Sequence, residues 1–294
     1  MNKNKKKSWR LIQLKDGIGK SREYCKQHGL ISSLITKKNY HSCIKCYLDW
    51  RDFNNLPRHQ QDKSSDLTAF LEELAEIRMQ NTIEHYRCAL SLVFSKKLPF
   101  VKSDLPNKVS SRNYFLSEIL LIIKSLSEKN AISILLCYFA GLRAHELSTL
   151  RRIGEIQKTM KRNWSDERFA GIENFRLYLV RGKGGLVREV AIPLELAVLL
   201  EKRRLDIPKI IIDRGVKYLS YYDLAAGKAL SEAFSRSSKK VLNWCCGLHG
   251  TRHSYAQNRL FKLLKLGLEY EYALRIVSEE LGHFRPSITL CYLR

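Results

Sequence analysis

The stretch LGHFRPSITLCYLR, residues 281–294, sets His283 nine positions before Tyr292. A tyrosine in such a place is either packing with a polar tip or a nucleophile on a mobile segment. On one unbroken α-helix, nine steps of about 100° would put the two side chains on opposite faces. Pro286 prevents that helix. His283 is therefore expected to end one element, and SITLCYLR to form a short separate helix carrying Tyr292. The two side chains can then converge.

Three other stretches could join them. GLRAHELSTL holds Arg143 and Glu146 three apart. That spacing predicts one face of a helix, where such a pair is usually a surface salt bridge. Here an apolar run precedes it and would hold the start of the helix against the core. LHGTRHSYAQ holds His249 and Arg252, also three apart, with His253 expected to turn aside. Gly250 and Thr251 put His249 at the helix entrance, where backbone N–H groups favour an anion. The bland readings are a core histidine and a surface arginine. Lys183 lies in RGKGG, the expected tip of a β-hairpin. Glycines there permit a turn and a close approach to another molecule. The bland reading is a solvated lysine, and the functional one a lysine carried into a DNA groove.

Composition narrows the partner. The chain has 294 residues, 52 Lys and Arg against 29 Asp and Glu, and a formal charge of +23. Such an excess favours a polyanion. It is spread along the chain, whereas a membrane-surface protein would concentrate it on one amphipathic helix. Nucleic acid is the leading partner class. MNKNKKKSWRLIQLKDG is basic and lacks the apolar run of a signal peptide. ILLII and ISILLCYFAG are too short to span a bilayer. The chain is read as cytoplasmic, and its eight cysteines as reduced thiols. Cys43 and Cys46 form a lone CxxC and are read as two residues of a helix face. No metal-ligand spacing is present.

Periodicity supplies the scaffold. TKKNYHSCIKCYLDWRDF, DLTAFLEELAEIRMQ and NTIEHYRCALSLVFSKK recur at helical spacing. PFVKSDLPNKVSSRN, residues 99–113, has two prolines, three serines and little periodicity, a linker signature. A helical domain is expected over 1–104, with 1–10 a basic disordered tail, and a second domain over 105–294. In the second, SEILLIIKSLSEKN and AISILLCYFAGLRAHELSTL read as helices. FRLYLVRGKGGLVREVAIP reads as two strands around a Gly-rich turn. Helices are expected again from ELAVLLEKRRL to the end. The fold class is mainly α, with a small antiparallel sheet in the second domain.

Arg143, Lys183, His249, Arg252, His283 and Tyr292, in this order, resemble the tyrosine recombinase (phage integrase) family. The blocks GLRAHEL, RGKGGLVREVAIP, HGTRHSYA and LGHFRPSITLCY carry the likeness. It covers residues 110–294 well, and its wording is most similar to integrases of bacterial mobile elements. The earlier helices look like the family's SAM-like core-binding domain without a diagnostic motif.

The resemblance implies a DNA integrase that cuts and rejoins strands through a 3′-phosphotyrosyl intermediate and a Holliday junction. It implies Tyr292 as nucleophile, Arg143 and Arg252 on the phosphate oxygens, and Lys183 as proton donor to the leaving 5′-hydroxyl. His249 would assist as base, His283 would hydrogen-bond the phosphate, and Glu146 would orient the arginine and histidine. The chemistry suits these types: guanidiniums are planar and stay charged, so neither metal nor cofactor is needed. Implied partners are double-stranded recombination sites, a homotetramer in the synaptic complex, and accessory DNA-bending proteins. The rivals are a type IB topoisomerase-like enzyme and an inactive DNA-binding regulator. Two departures stand out. An insert over 153–170 precedes the hairpin, with Lys161, Arg162, Trp164 and Arg168 able to contact DNA or simply be solvated. Only Leu293 and Arg294 follow Tyr292, too little for a helix that would couple subunits.

Overall fold

A computed structural model describes residues 3–57, 62–106 and 111–293, apart from the Lys183 side chain. The chain divides into two compact units, residues 1–108 and 109–294. Part of the expected linker, 107–110, lies outside the described residues.

The first unit is helical: α1 (Lys3–Gln13), α2 (Arg22–Gln27), α3 (Leu34–Phe53), α4 (Ser64–Ile77) and α5 (Gln80–Phe94). Ser33 caps α3 by accepting the Thr36 amide at 3.2 Å. Ile44, Tyr47 and Leu48 of α3 pack with Leu67, Phe70 and Leu71 of α4 and with Ile83 and Leu90 of α5. The i, i+3, i+4 spacing puts each set on one stripe. Burying each such side chain contributes about 1.5–3 kcal/mol. Cys43 and Cys46 both lie on α3. The expected disordered tail over 1–10 is corrected: α1 begins at Lys3. Asn4, Ser8 and Ile12 are buried at four-residue intervals, and Asn4 Nδ2 donates to Asp49 and Asp52, each at 2.9 Å. The lysines occupy the other side of a packed helix.

In the second unit α6 (Leu116–Lys124) and α7 (Glu128–Phe139) come first. Ser127 and Glu118 satisfy free amides at the starts of α7 and α6. Strands β1 (Arg151–Arg152), β2 (Phe175–Arg181) and β3 (Val187–Pro193) form an antiparallel sheet in the order β1-β2-β3. Next come α8 (Leu194–Glu201), β4 (Arg204–Asp213) and β5 (Val216–Tyr222), then α9 (Gly227–Leu242), α10 (Gly250–Lys265), α11 (Tyr270–Glu280) and α12 (Pro286–Thr289). The hairpin β4–β5 corrects the expectation of unbroken helices after Leu194. Arg214 and Gly215 form its turn with φ of 52° and 85°. The β-branched run Ile210–Ile212 favours a strand over a helix.

Ile119, Leu136, Val180, Ile192, Leu200 and Phe234 meet in one core between α6, α7, the sheet, α8 and α9. A second cluster, Tyr255, Leu263, Ile276, Val277 and Tyr292, joins α10 to α11 and the C-terminal turn. No helix among the described residues is long and apolar enough to cross a membrane.

Candidate active site

The helix α7 stops at Ala140, and Gly141 turns the chain with φ of 59°. A Cβ there would also lie 2.7 Å from the Tyr255 ring, so glycine is required twice over. Arg143 therefore lies in a turn, not on the helix face its spacing predicted. Its pairing with Glu146 holds by other means. The Glu146 carboxylate accepts the Arg143 amide at 2.9 Å and Arg143 Nη1 at 2.7 Å. Glu146 is fully buried and opens a 3₁₀ turn, Glu146–Thr149. Burial alone would raise its pKa, but Arg188, Arg252 and Arg143 outweigh that and hold it well below the carboxylate range.

His249 precedes the first residue of α10, at the entrance its sequence suggested. One turn on, Arg252 is fully buried. Its Nη1 donates to Gly141 O and its Nη2 to Leu281 O, joining the α7 turn to the end of α11. Burial and the nearby Arg143 pull its pKa down to about 9 against the pull of Glu146. The guanidinium stays charged at neutral pH. Arg252 Nη2 also lies 3.3 Å from His283 Nε2. An arginine only donates, so His283 accepts there and carries its proton on Nδ1, 3.3 Å from Thr289 Oγ1. Burial first, then Arg252 and Arg143, hold the His283 pKa at about 3.

Pro286 starts α12, and a 3₁₀ turn, Leu290–Tyr292, brings the tyrosine back over α10. Tyr292 is 9% exposed, and its hydroxyl lies 3.0 Å from His249 Nε2. Its backbone carbonyl accepts Gln257 Nε2 at 3.1 Å. The His283 ring stands 5.1 Å from the tyrosine ring and Arg252 5.8 Å from it. Burial and Arg252 lower the His249 pKa as well, so the imidazole is neutral and able to accept a phenolic proton.

Arg143, Glu146, His249, Arg252, His283 and Tyr292 thus come together. Lys183 opens the turn between β2 and β3, Lys183–Gly185, where Gly184 and Gly185 have φ of 79° and 83°. Its side chain lies outside the described residues. Two further residues face the group. His253, expected to turn aside, has its ring 4.7 Å from that of Tyr292. Arg188 of β3 is buried, donates Nη2 to Glu146 at 3.0 Å and Nε to Glu280 O at 2.9 Å. The available signal was strand alternation, which puts Arg188 on the same face as the buried Val190 and Ile192. Among the described residues no group of His, Cys, Asp or Glu is arranged to hold a metal ion.

No family model matches the chain. A curated tyrosine recombinase of Thermosipho africanus (strain TCF52B) is 26% identical over 288 residues, covering 88% of this chain and 88% of its own. Over most of its length the chain is thus similar to a tyrosine recombinase. The fold agrees with that likeness. XerH site-specific recombinase bound to difH substrate superposes with a TM-score of 0.60 at 16% identity, over 99% of this chain and 92% of that one. A lambda integrase dimer bound to a COC′ core site gives 0.55 at 16% identity, over 98% and 95%. A lambda integrase tetramer bound to a Holliday junction gives 0.56 at 16% identity, over 97% and 76%.

Proposed function

We propose that the enzyme cleaves each strand with Tyr292 and rejoins it to a new partner, in a homotetramer that passes through a Holliday junction. The observation that carries this reading is the 3.0 Å approach of the Tyr292 hydroxyl to His249 Nε2, beside Arg143 and Arg252. Neutral His249 takes the phenolic proton as the Tyr292 oxygen attacks phosphorus. The bond to the 5′ oxygen breaks, and Lys183 supplies the proton that the leaving hydroxyl needs. The product is a 3′-phosphotyrosyl bond, which a 5′-hydroxyl from another strand attacks in reverse.

Arg143 and Arg252 stabilise charge on the non-bridging oxygens, where fixed guanidiniums act without reorganising. Glu146 holds Arg143. His283, in its acceptor form toward Arg252, orients that guanidinium, and protonation or a change of tautomer lets it donate to a phosphate. The helices of residues 1–108 are read as a core-binding domain on DNA. Lambda integrase has been captured as a tetramer on a Holliday junction, which supports the same assembly here. A role in a mobile element, accessory DNA-bending proteins and a cytoplasmic site of action complete the reading.

The test is a nicked suicide substrate that traps the covalent intermediate. Wild-type protein should form a denaturation-resistant adduct, and Tyr292→Phe none. An adduct retained by Tyr292→Phe would pass the nucleophile role to another tyrosine.

A further inference from the structure

We propose that Trp164, in the insert between β1 and β2, is a positioning residue for Tyr292: it clamps Phe284 and so fixes the segment that presents the nucleophile. The proposal rests on the reading of Tyr292 above.

The insert is a tied structure rather than a solvated loop. Thr159 exchanges two bonds with Val187 of β3, amide to carbonyl and amide to Oγ1, both at 3.0 Å. Lys158 Nζ and Arg168 Nη2 reach Glu189 of the same strand at 3.0 and 2.5 Å. On the other side Ser165 donates its amide and hydroxyl to Glu279 at 2.7 and 3.1 Å. The Phe169 amide donates to Glu280 at 2.9 Å. Glu279 and Glu280 end α11, just before His283. The insert therefore bridges the Lys183 hairpin to the helix end from which the tyrosine segment departs.

Phe284 is the first residue of that segment. It has φ of 54°, a sparsely populated left-handed conformation for a residue with a side chain. Two side chains of the insert contact its ring. The Trp164 ring meets Phe284 edge to face at 4.7 Å and 71°. The Arg162 guanidinium lies 5.2 Å from the same ring. Trp164 is itself fixed: Nε1 donates to Thr159 O at 3.0 Å and Arg168 stacks 4.5 Å from its ring. Only a short path, through Pro286 and α12, separates Phe284 from Tyr292. A rotation at Phe284 is passed to the hydroxyl, and a displacement of about 1 Å can cost on the order of 10²-fold in rate.

The test uses the full-length protein and a nicked suicide substrate at saturating concentration. Trp164→Ala should slow single-turnover cleavage by about tenfold or more and leave DNA affinity unchanged. Trp164→Phe, which keeps an aromatic edge, should recover most of the rate. Amide exchange over 284–293 should rise in Trp164→Ala and not in Trp164→Phe. The double variant with Phe284→Ala should be no slower than either single one. Unchanged exchange and cleavage in Trp164→Ala overturn the clamp. A cleavage loss matched by a loss of DNA affinity overturns it too, as Trp164 would then be a DNA contact. If wild-type protein forms no adduct, the nucleophile reading fails instead, while the exchange result still decides the clamp.

Discussion

Tyr292 and His249 stand 43 positions apart in the chain, yet the phenolic oxygen and Nε2 are 3.0 Å apart within one protein chain. The contact joins the 3₁₀ turn after α12 to the entrance of α10. The proposed nucleophile and its proposed base are thus paired before DNA is considered. That geometry fixes what several variants should do.

Cleavage should occur in cis. Arg143, His249 and Tyr292 are grouped on one chain, and Gln257 holds the Tyr292 carbonyl at 3.1 Å. Mixing Tyr292→Phe with Arg143→Ala protein on a suicide substrate should leave the mixture as inactive as either alone. Cleavage well above both would mean that the tyrosine is donated to a neighbour.

Variants of Arg143 and Arg252 should differ in stability although both arginines are proposed to serve the phosphate. Each to Ala should slow cleavage on the order of 10²-fold or more. Arg252→Ala also strands the buried carbonyls of Gly141 and Leu281, at about 1–3 kcal/mol each. Arg143 is 20% exposed and bonds only the Glu146 side chain among these contacts. Thermal melting should therefore drop clearly for Arg252→Ala and little for Arg143→Ala. Equal drops would contradict the structural role of Arg252.

Glu146→Gln should destabilise the fold. Glu146 is fully buried and compensates Arg143 and Arg188 at 2.7 and 3.0 Å. Breaking such a pair while leaving its partner charges costs about 3–5 kcal/mol. Urea denaturation measures this. A variant as stable as wild type would show that the arginines find another partner.

Acid should weaken the protein through His283. Its folded pKa is about 3, against 6.5 for an ordinary histidine. The unfolded chain binds the extra proton between those values. The contribution is complete above about pH 6.5 and is lost as pH falls toward 3. Between pH 7 and 5 the loss should be about 1–2 kcal/mol from this residue. His249 shifts the same way, but its exposed edge admits solvent and screens the effect. Unfolding free energies at pH 7, 6 and 5 should fall, and His283→Gln should flatten the slope. An unchanged slope would mean that other groups dominate.

The sequence by itself determined the elements whose information is local. The α3, α4 and α5 stripes repeat at helical spacing. The glycines of RGKGG mark the β2–β3 turn. Pro286 forces the break that lets His283 and Tyr292 converge, and Gly250 with Thr251 set His249 at the entrance of α10. Tertiary structure alone decided the rest. The lysine run hid the buried face of α1, since Asn4 and Ser8 gain meaning only against α3. Gly141 took Arg143 off its helix because the Tyr255 ring leaves no room there. His253 turned toward Tyr292 only once α12 folded back over α10. Arg188 reached Glu146 across 42 positions, and Ser165 reached Glu279 across 114. Periodicity reports which face a residue occupies on its own element. It cannot report which distant group will stand opposite, because that depends on how the buried faces pack together.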